Sequence, residues 1–237
     1  MGCLCDRVVE AMQRIVFLFP GQGSQYVGMG RDLVENFSES KKVFEEAERI
    51  LGLPLQKYCF DGPSEMLKST SICQIAVFTV SMAAFYALRE RFDLRPVYTL
   101  GLSLGEYSAL VAAGVLEFQT GLKLVRYRGE LMGEVAKKVS GKMCAVIGLD
   151  RESVRRICAE CGDVYIANFN SPEQIVISGE KDSIDKAKQL CLQQGALKVI
   201  ELEVDGPFHS PFMQNVAEGP FKEYLEGIIF SSAQMPV

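Results

Sequence analysis

The strongest constraint in this 237-residue sequence is Pro96-Val97-Tyr98-Thr99-Leu100 running straight into Gly101-Leu102-Ser103-Leu104-Gly105. The first five residues read as a short strand. From Glu106 to Ala113 the apolar residues recur at helical spacing, and Gly114 stops them. Strand, tight turn, helix is the context in which Gly-x-Ser-x-Gly holds a serine on a strained bend with its hydroxyl exposed. The glycines are needed because so sharp a bend leaves no room for side chains. The following helix aims unbonded N–H groups and its positive end at the serine, where a developing oxyanion would be stabilised. The same five residues also fit a plain glycine-bounded turn with a capping serine.

The rest of the chain fits an α/β protein. Ile15 to Phe19 is a continuous apolar run stopped by Pro20-Gly21, the pattern of a strand buried on both faces of a parallel sheet. The turn Gly21-Gln22-Gly23-Ser24-Gln25 follows it, at the sheet edge where α/β proteins place their sites. It lacks the lysine and the spacing of a phosphate-binding loop. Ser40 to Leu51 reads as an amphipathic helix, Ser71 to Phe92 as a long buried one, and Glu117 to Lys138 as another. Within the buried helix, Ile75 to Leu88 falls short of the ~20 apolar residues that a membrane span requires.

The pattern then changes to strand (Lys142 to Leu149), helix (Arg151 to Glu160), strand (Val164 to Phe169), turn (Asn170-Ser171-Pro172), strand (Gln174 to Ser178), helix (Lys181 to Gln194) and strand (Ala196 to Val204). This β-α-β-β-α-β order is that of a ferredoxin-like module. It is expected as an insertion at 139–204 in a catalytic core made of 12–138 and 205–237, with 1–11 as an extension. Pro211 to Gly227 is helical in composition apart from Gly219-Pro220.

Composition narrows the function. Twenty-five basic against 30 acidic residues give a net charge of −5, which disfavours a nucleic-acid partner. There are eight cysteines, and the acidic N-terminus lacks a secretory signal pattern, so free thiols in a reducing compartment are expected. Cys158 and Cys161 form a lone CxxC without a second pair, which reads as two helix-end cysteines rather than a metal site. Cys3, Cys5 and Gly2 do not complete a lipidation pattern, because Asp6 stands where Ser or Thr is wanted.

His209 is the single histidine. A serine hydroxyl needs a base, and an imidazole with a pKa near 6.5 suits that task. Pro207 and Pro211 flank His209 and place it in a loop; a surface histidine is the alternative. A Gln22 amide could donate to an oxyanion or order its loop. Arg128, in Arg126-Tyr127-Arg128-Gly129, reads from spacing as a solvated helix charge, although a guanidinium also grips a carboxylate through two parallel bonds.

Taken together, Phe19-Pro20-Gly21-Gln22-Gly23-Ser24-Gln25, Gly101 to Leu110, Arg128-Gly129, Asn168-Phe169-Asn170-Ser171-Pro172 and Gly206-Pro207-Phe208-His209-Ser210 resemble, in order, the malonyl-CoA:acyl carrier protein transacylases. The similarity covers residues 13–237. It implies an α/β-hydrolase-like core with a parallel sheet and an inserted ferredoxin-like subdomain. It also implies Ser103 as nucleophile, His209 as base and then acid, Gln22 and the Leu104 amide as oxyanion hole, and Arg128 on the malonyl carboxylate. Phe208 resembles the malonyl-type pocket, Gln74 a glutamine near the site, and Asn168 and Asn170 residues that order it.

The resemblance implies no metal and no cofactor beyond the substrates malonyl-CoA and acyl carrier protein. With it go a cytoplasmic (or organellar) location, a monomer, and neither membrane nor nucleic acid as partner. An acidic carrier would need a basic patch, for which Lys123, Arg126, Lys137, Lys138 and Arg151 are candidates. Leu102 stands where many relatives have His. The family continues for several tens of residues past the position of Val237, so a truncated C-terminus is expected, and with it the loss of the carbonyl that orients the histidine. The alternatives are a serine esterase or thioesterase, and a truncated, inactive carrier-binding protein.

Overall fold

A computed structural model describes residues 15–237; the expected 1–11 extension, Cys3, Cys5 and the start near Met12 lie outside them. The chain divides into two compact units. One takes the residues up to Leu67, then Ile72–Arg126 and Ile228–Val237; the other takes Lys68–Ser71 and Tyr127–Gly227.

In the first unit, β1 (Val16–Phe19) pairs in parallel with β2 (Tyr98–Gly101), in register from Val16↔Tyr98 to Phe19↔Gly101. The helices α1 (Arg31–Asn36), α2 (Ser38–Leu51), α3 (Leu55–Asp61) and α4 (Ser64–Lys68) lead to the long α5 (Thr70–Arg91). The short α1, α3 and α4 carry no periodic stripe long enough to read from sequence. Phe17 and Phe19 meet Phe85 of α5 edge-on, with ring centroids 6.0 and 6.3 Å apart, and Phe78 stacks on Phe118 at 5.8 Å. The Ser40 hydroxyl of α2 donates to the Ala83 carbonyl of α5 at 2.9 Å.

Among the described residues, α5 is the one helix long and apolar enough to cross a membrane by length and composition. Two-thirds of its most apolar stretch is nevertheless buried inside the protein, as the core helix expected. The burial expected for both faces of β1 is not observed. Phe19 is buried, but Leu18 is 73% exposed, and Tyr98 and Leu100 of β2 are exposed with it. In the two-stranded sheet alternate residues point to opposite faces, and α5 covers one of those faces. The elements α6 (Gly105–Ala112) and α7 (Phe118–Lys138) follow β2.

In the second unit, β3 (Gly141–Ile147), β4 (Val164–Ser171), β5 (Gln174–Glu180) and β6 (Lys198–Glu201) form one sheet in the order β4-β5-β3-β6, antiparallel throughout. The β-α-β-β-α-β succession is completed by α8 (Arg151–Cys161) and α9 (Lys181–Gln193). Asp150 caps α8 by accepting from the Glu152 and Ser153 amides, both at 2.9 Å, and Glu180 caps α9 through the Ser183 amide. Several boundaries differ from expectation, those of β4 and β6 among them. Strand β4 runs through Asn170 and Ser171, so the turn is Pro172-Glu173, and β6 stops at Glu201 although Leu202 still donates to Met143 at 2.9 Å.

Both faces of this sheet are apolar. Val154, Ile157, Ile184 and Ala187 cover one face together with Cys158 and Cys191. The other is filled by Met132 of α7 and by Phe208, packed on Met143, Ala145 and Val176. With that second layer the compact unit, Lys68–Ser71 and Tyr127–Gly227, reaches beyond the expected 139–204 module. The end of α7 and the chain after Val204 complete its core. After β6 come a 3₁₀ turn (Pro211–Met213), a π-helical turn (Gln214–Glu218) and α10 (Gly219–Glu226), where the sequence reads as helical in composition apart from Gly219-Pro220.

Candidate active site

The serine is presented by the first unit. Ser103 follows β2 with φ +53°, a left-handed backbone that side-chain-bearing residues rarely adopt. Packing enforces the bend: a Cβ on Gly101 would lie 2.0 Å from the Gly105 carbonyl carbon, and one on Gly105 would lie 2.2 Å from the Phe19 oxygen. Amides of Leu102, Gly105 and Glu106 donate to Phe19, Leu102 and Ser103 carbonyls at 3.3, 2.9 and 3.3 Å. The Leu104 amide takes no part in these bonds, and it sits where α6 begins. Gly21 lies against the same bend, its Cβ position 2.6 Å from the Leu102 oxygen and 4.0 Å from the Leu104 nitrogen. This brings the turn carrying Gln22 to the elbow. Gln25 accepts from the Gly23 amide and the Ser24 hydroxyl donates to Gly21, both at 2.8 Å, which fixes the loop. Gln74, on α5, is fully buried.

The histidine is presented by the second unit. His209 has φ +56°; Ser103 and His209 are the two non-glycine residues with positive φ among those described. Strain of this kind clusters at functional sites, where the surroundings over-determine it. On one side of His209 the Phe208 side chain is buried in the sheet core. On the other the Ser210 hydroxyl donates to the Pro207 carbonyl.

His209 and Arg128 line one cavity of about 320 Å³. Its walls are two helical faces. Leu131 and Met132 stand three and four residues on from Arg128 along α7, while Met213, Ala217 and Phe221 repeat at four-residue spacing opposite. Tyr127 packs on Tyr224 with ring centroids 4.6 Å apart, holding α10 to α7. His209 is exposed to solvent, yet the protein mass around its ring disfavours charge. Burial first, and the Arg128 guanidinium second, hold the His209 pKa below its ordinary 6.5. A neutral imidazole able to accept a proton near pH 7 is the result.

The other expected residues stand outside this cavity lining. Phe208 is 3% exposed and belongs to the sheet's second core layer, not to the cavity lining. Asn170 is exposed and donates to the Gln174 side chain at 2.7 Å across the β4–β5 hairpin, and Asn168 lies at a bulge in β4. Cys158 and Cys161 lie in the last turn of α8 against the apolar cluster. The cavity walls beyond Arg128 were missed in the sequence, although the i, i+3, i+4 spacing of Arg128, Leu131 and Met132 is visible there.

The acyl transferase domain family matches residues 16–231. The chain belongs to this family. It is 42% identical over 230 residues to the malonyl CoA-acyl carrier protein transacylase of Bacillus subtilis, covering 95% of this chain and 72% of that one. The enzyme of the same name from Escherichia coli is 38% identical, with 95% and 74% covered. A malonyl-transacylase solved in complex with its type II polyketide synthase acyl-carrier protein superposes with a TM-score of 0.91 at 40% identity, covering 95% of this chain and 74% of that one. An acyl carrier protein S-malonyltransferase from Vibrio cholerae gives 0.87 at 40% identity, covering 94% and 73%. The mixed α/β fold with parallel strands is the one these solved structures share with this chain.

Proposed function

We propose that this acyltransferase moves malonyl from coenzyme A to the phosphopantetheine thiol of an acyl carrier protein, through a malonyl ester on Ser103. The Ser103 oxygen attacks the thioester carbonyl while His209 takes its proton. The tetrahedral oxyanion is held by the Leu104 amide and Gln22, at the positive end of α6, where one such donor is worth about 10²–10³ in rate. Collapse breaks the C–S bond, and His209 returns the proton to the leaving thiol. The carrier thiol then gives its proton to His209 and attacks the ester; the C–O bond breaks and His209 returns the proton to the Ser103 oxygen, which restores Ser103. Arg128 grips the free malonyl carboxylate, with Gln74 as a further substrate-binding residue and Asn168 and Asn170 as ordering residues. No cofactor enters any step.

The observation that carries this reading is that Arg128 and His209 line one cavity, a carboxylate-binding group beside a neutral base. The first unit is read as an α/β-hydrolase-like core, and the second as holding a ferredoxin-like module. The partner is an acidic carrier, met by a basic patch drawn from Lys123, Arg126, Lys137, Lys138 and Arg151. The enzyme acts as a monomer in the cytoplasm and supplies fatty acid or polyketide synthesis. Intact-mass spectrometry after mixing with malonyl-CoA tests the reading. A malonyl adduct is expected on the wild type and not on Ser103→Ala; an adduct on both, or on neither, refutes it.

A further inference from the structure

The left-handed backbone at His209 has to be held from outside. After β6 the chain leaves the sheet, with Leu202 donating to Met143 at 2.9 Å and Val204 to Leu202 at 2.9 Å. The next fixed point is Asp205. One oxygen of its carboxylate accepts from both the backbone N–H and the hydroxyl of Thr70, at 3.0 and 3.1 Å. Thr70 opens α5 and is 1% exposed, so this is a sheltered donor pair. Its amide is one of those that a helix N-terminus leaves without an intrahelical partner, and a carboxylate there is further favoured by the helix dipole. Past Asp205 the turn is pinned by shape. A Cβ on Gly206 would meet Ala136 at 3.0 Å, and the Pro207 ring fills the space a Cβ on Gly141 would need.

We propose that Asp205 is a positioning residue for His209, its carboxylate on Thr70 anchoring the start of the turn that holds the imidazole. The inference rests on the reading of His209 as the base. Asp205 acts through geometry rather than charge. Burial and Arg128 are what lower the His209 pKa, while Glu218 shares the cavity with the imidazole, and Glu130, Glu134 and Lys137 share the groove beside Asp205.

The single histidine makes the test direct, because untagged ¹⁵N-labelled protein has one imidazole to follow by NMR. Asp205→Asn keeps an acceptor oxygen without charge, whereas Asp205→Ala keeps neither. In Asp205→Ala the imidazole titration moves up toward 6.5 as the ring leaves its surroundings. With it, kcat for malonyl transfer falls about ten- to a hundredfold while KM for malonyl-CoA stays within about twofold. Asp205→Asn keeps the wild-type titration and a near wild-type kcat. A titration of Asp205→Ala that superposes on the wild type overturns the proposal, and so does an Asp205→Asn as altered as Asp205→Ala. Should Asp205→Ala not fold, Thr70→Val removes one of the two donors and is read the same way. A wild type that forms no malonyl-serine refutes the function above, but the NMR comparison still decides the anchor.

Discussion

Gly105→Ala isolates the packing of the elbow. The added Cβ would stand 2.2 Å from the Phe19 carbonyl oxygen, 2.9 Å from its carbon and 2.9 Å from the Pro20 oxygen, where ordinary contacts begin at 3.4 Å. All three obstacles are backbone, so the start of α6 or the end of β1 must give way by about 1 Å. Overpacking of this kind costs about 1–3 kcal/mol, and the rigid obstacle argues for the upper end. In a chain of this size each kcal/mol lowers Tm by about 2–4 °C, so a drop of about 6–12 °C is expected. The Phe19 oxygen also accepts from Leu102 at 3.3 Å, so the same movement disturbs the bend itself. The Leu104 amide moves with it, and a misplacement of about 1 Å lowers the rate by about 10²-fold. Gly133→Ala is the control. It lies inside α7 with nothing within 4 Å of its Cβ position, and helix propensity alone should stabilise it by about 0.5–1 kcal/mol. Thermal unfolding and the rate of acyl-serine formation read both variants. A Gly105→Ala protein that melts within about 2 °C of wild type and acylates normally would refute the close approach of α6 to β1.

The second unit gives three further outcomes. Activity should fail as pH drops through the His209 pKa, which lies below 6.5. Removing the Arg128 charge raises that pKa, so Arg128→Ala should move the acid limb of the pH–rate profile to higher pH, while cutting malonyl transfer far more than acetyl transfer; an unmoved limb, or equal loss for both acyl groups, removes Arg128 from the site. Burial pushes the thiols of Cys158 up to about 12 and of Cys144 and Cys191 up to about 11, whereas Cys161 is raised less and is partly accessible. Peptide mapping after mild alkylation near pH 8 should therefore find Cys161 modified before those three.

Local features were legible and non-local ones were not. The elbow reads directly, because Gly101, Ser103 and Gly105 act over five residues between an apolar run and a helix. The two-layer cover of the β3–β6 sheet does not. Met132 and Phe208 are far apart in sequence, and neither lies in the block that patterns as β-α-β-β-α-β. The left-handed turn at His209 carries no local signal either, since glycine or asparagine normally marks such a backbone. The exposure of Leu18 depends on how many elements cover the β1–β2 sheet, whereas a five-residue apolar run registers only hydrophobicity.

Phe208 fills the core under β3 and β5, and the next residue in the chain is His209. Hydrophobic substitutions at Met143 or Val176, residues without chemistry of their own, thus become a means of tuning the imidazole by directed evolution. A chimera that grafts a relative's module should likewise exchange residues 127–227 together with 68–71. A cut at 139 and 204 would seat a foreign sheet on a native Phe208 and Met132, and a mismatch there would be felt one residue later, at the imidazole.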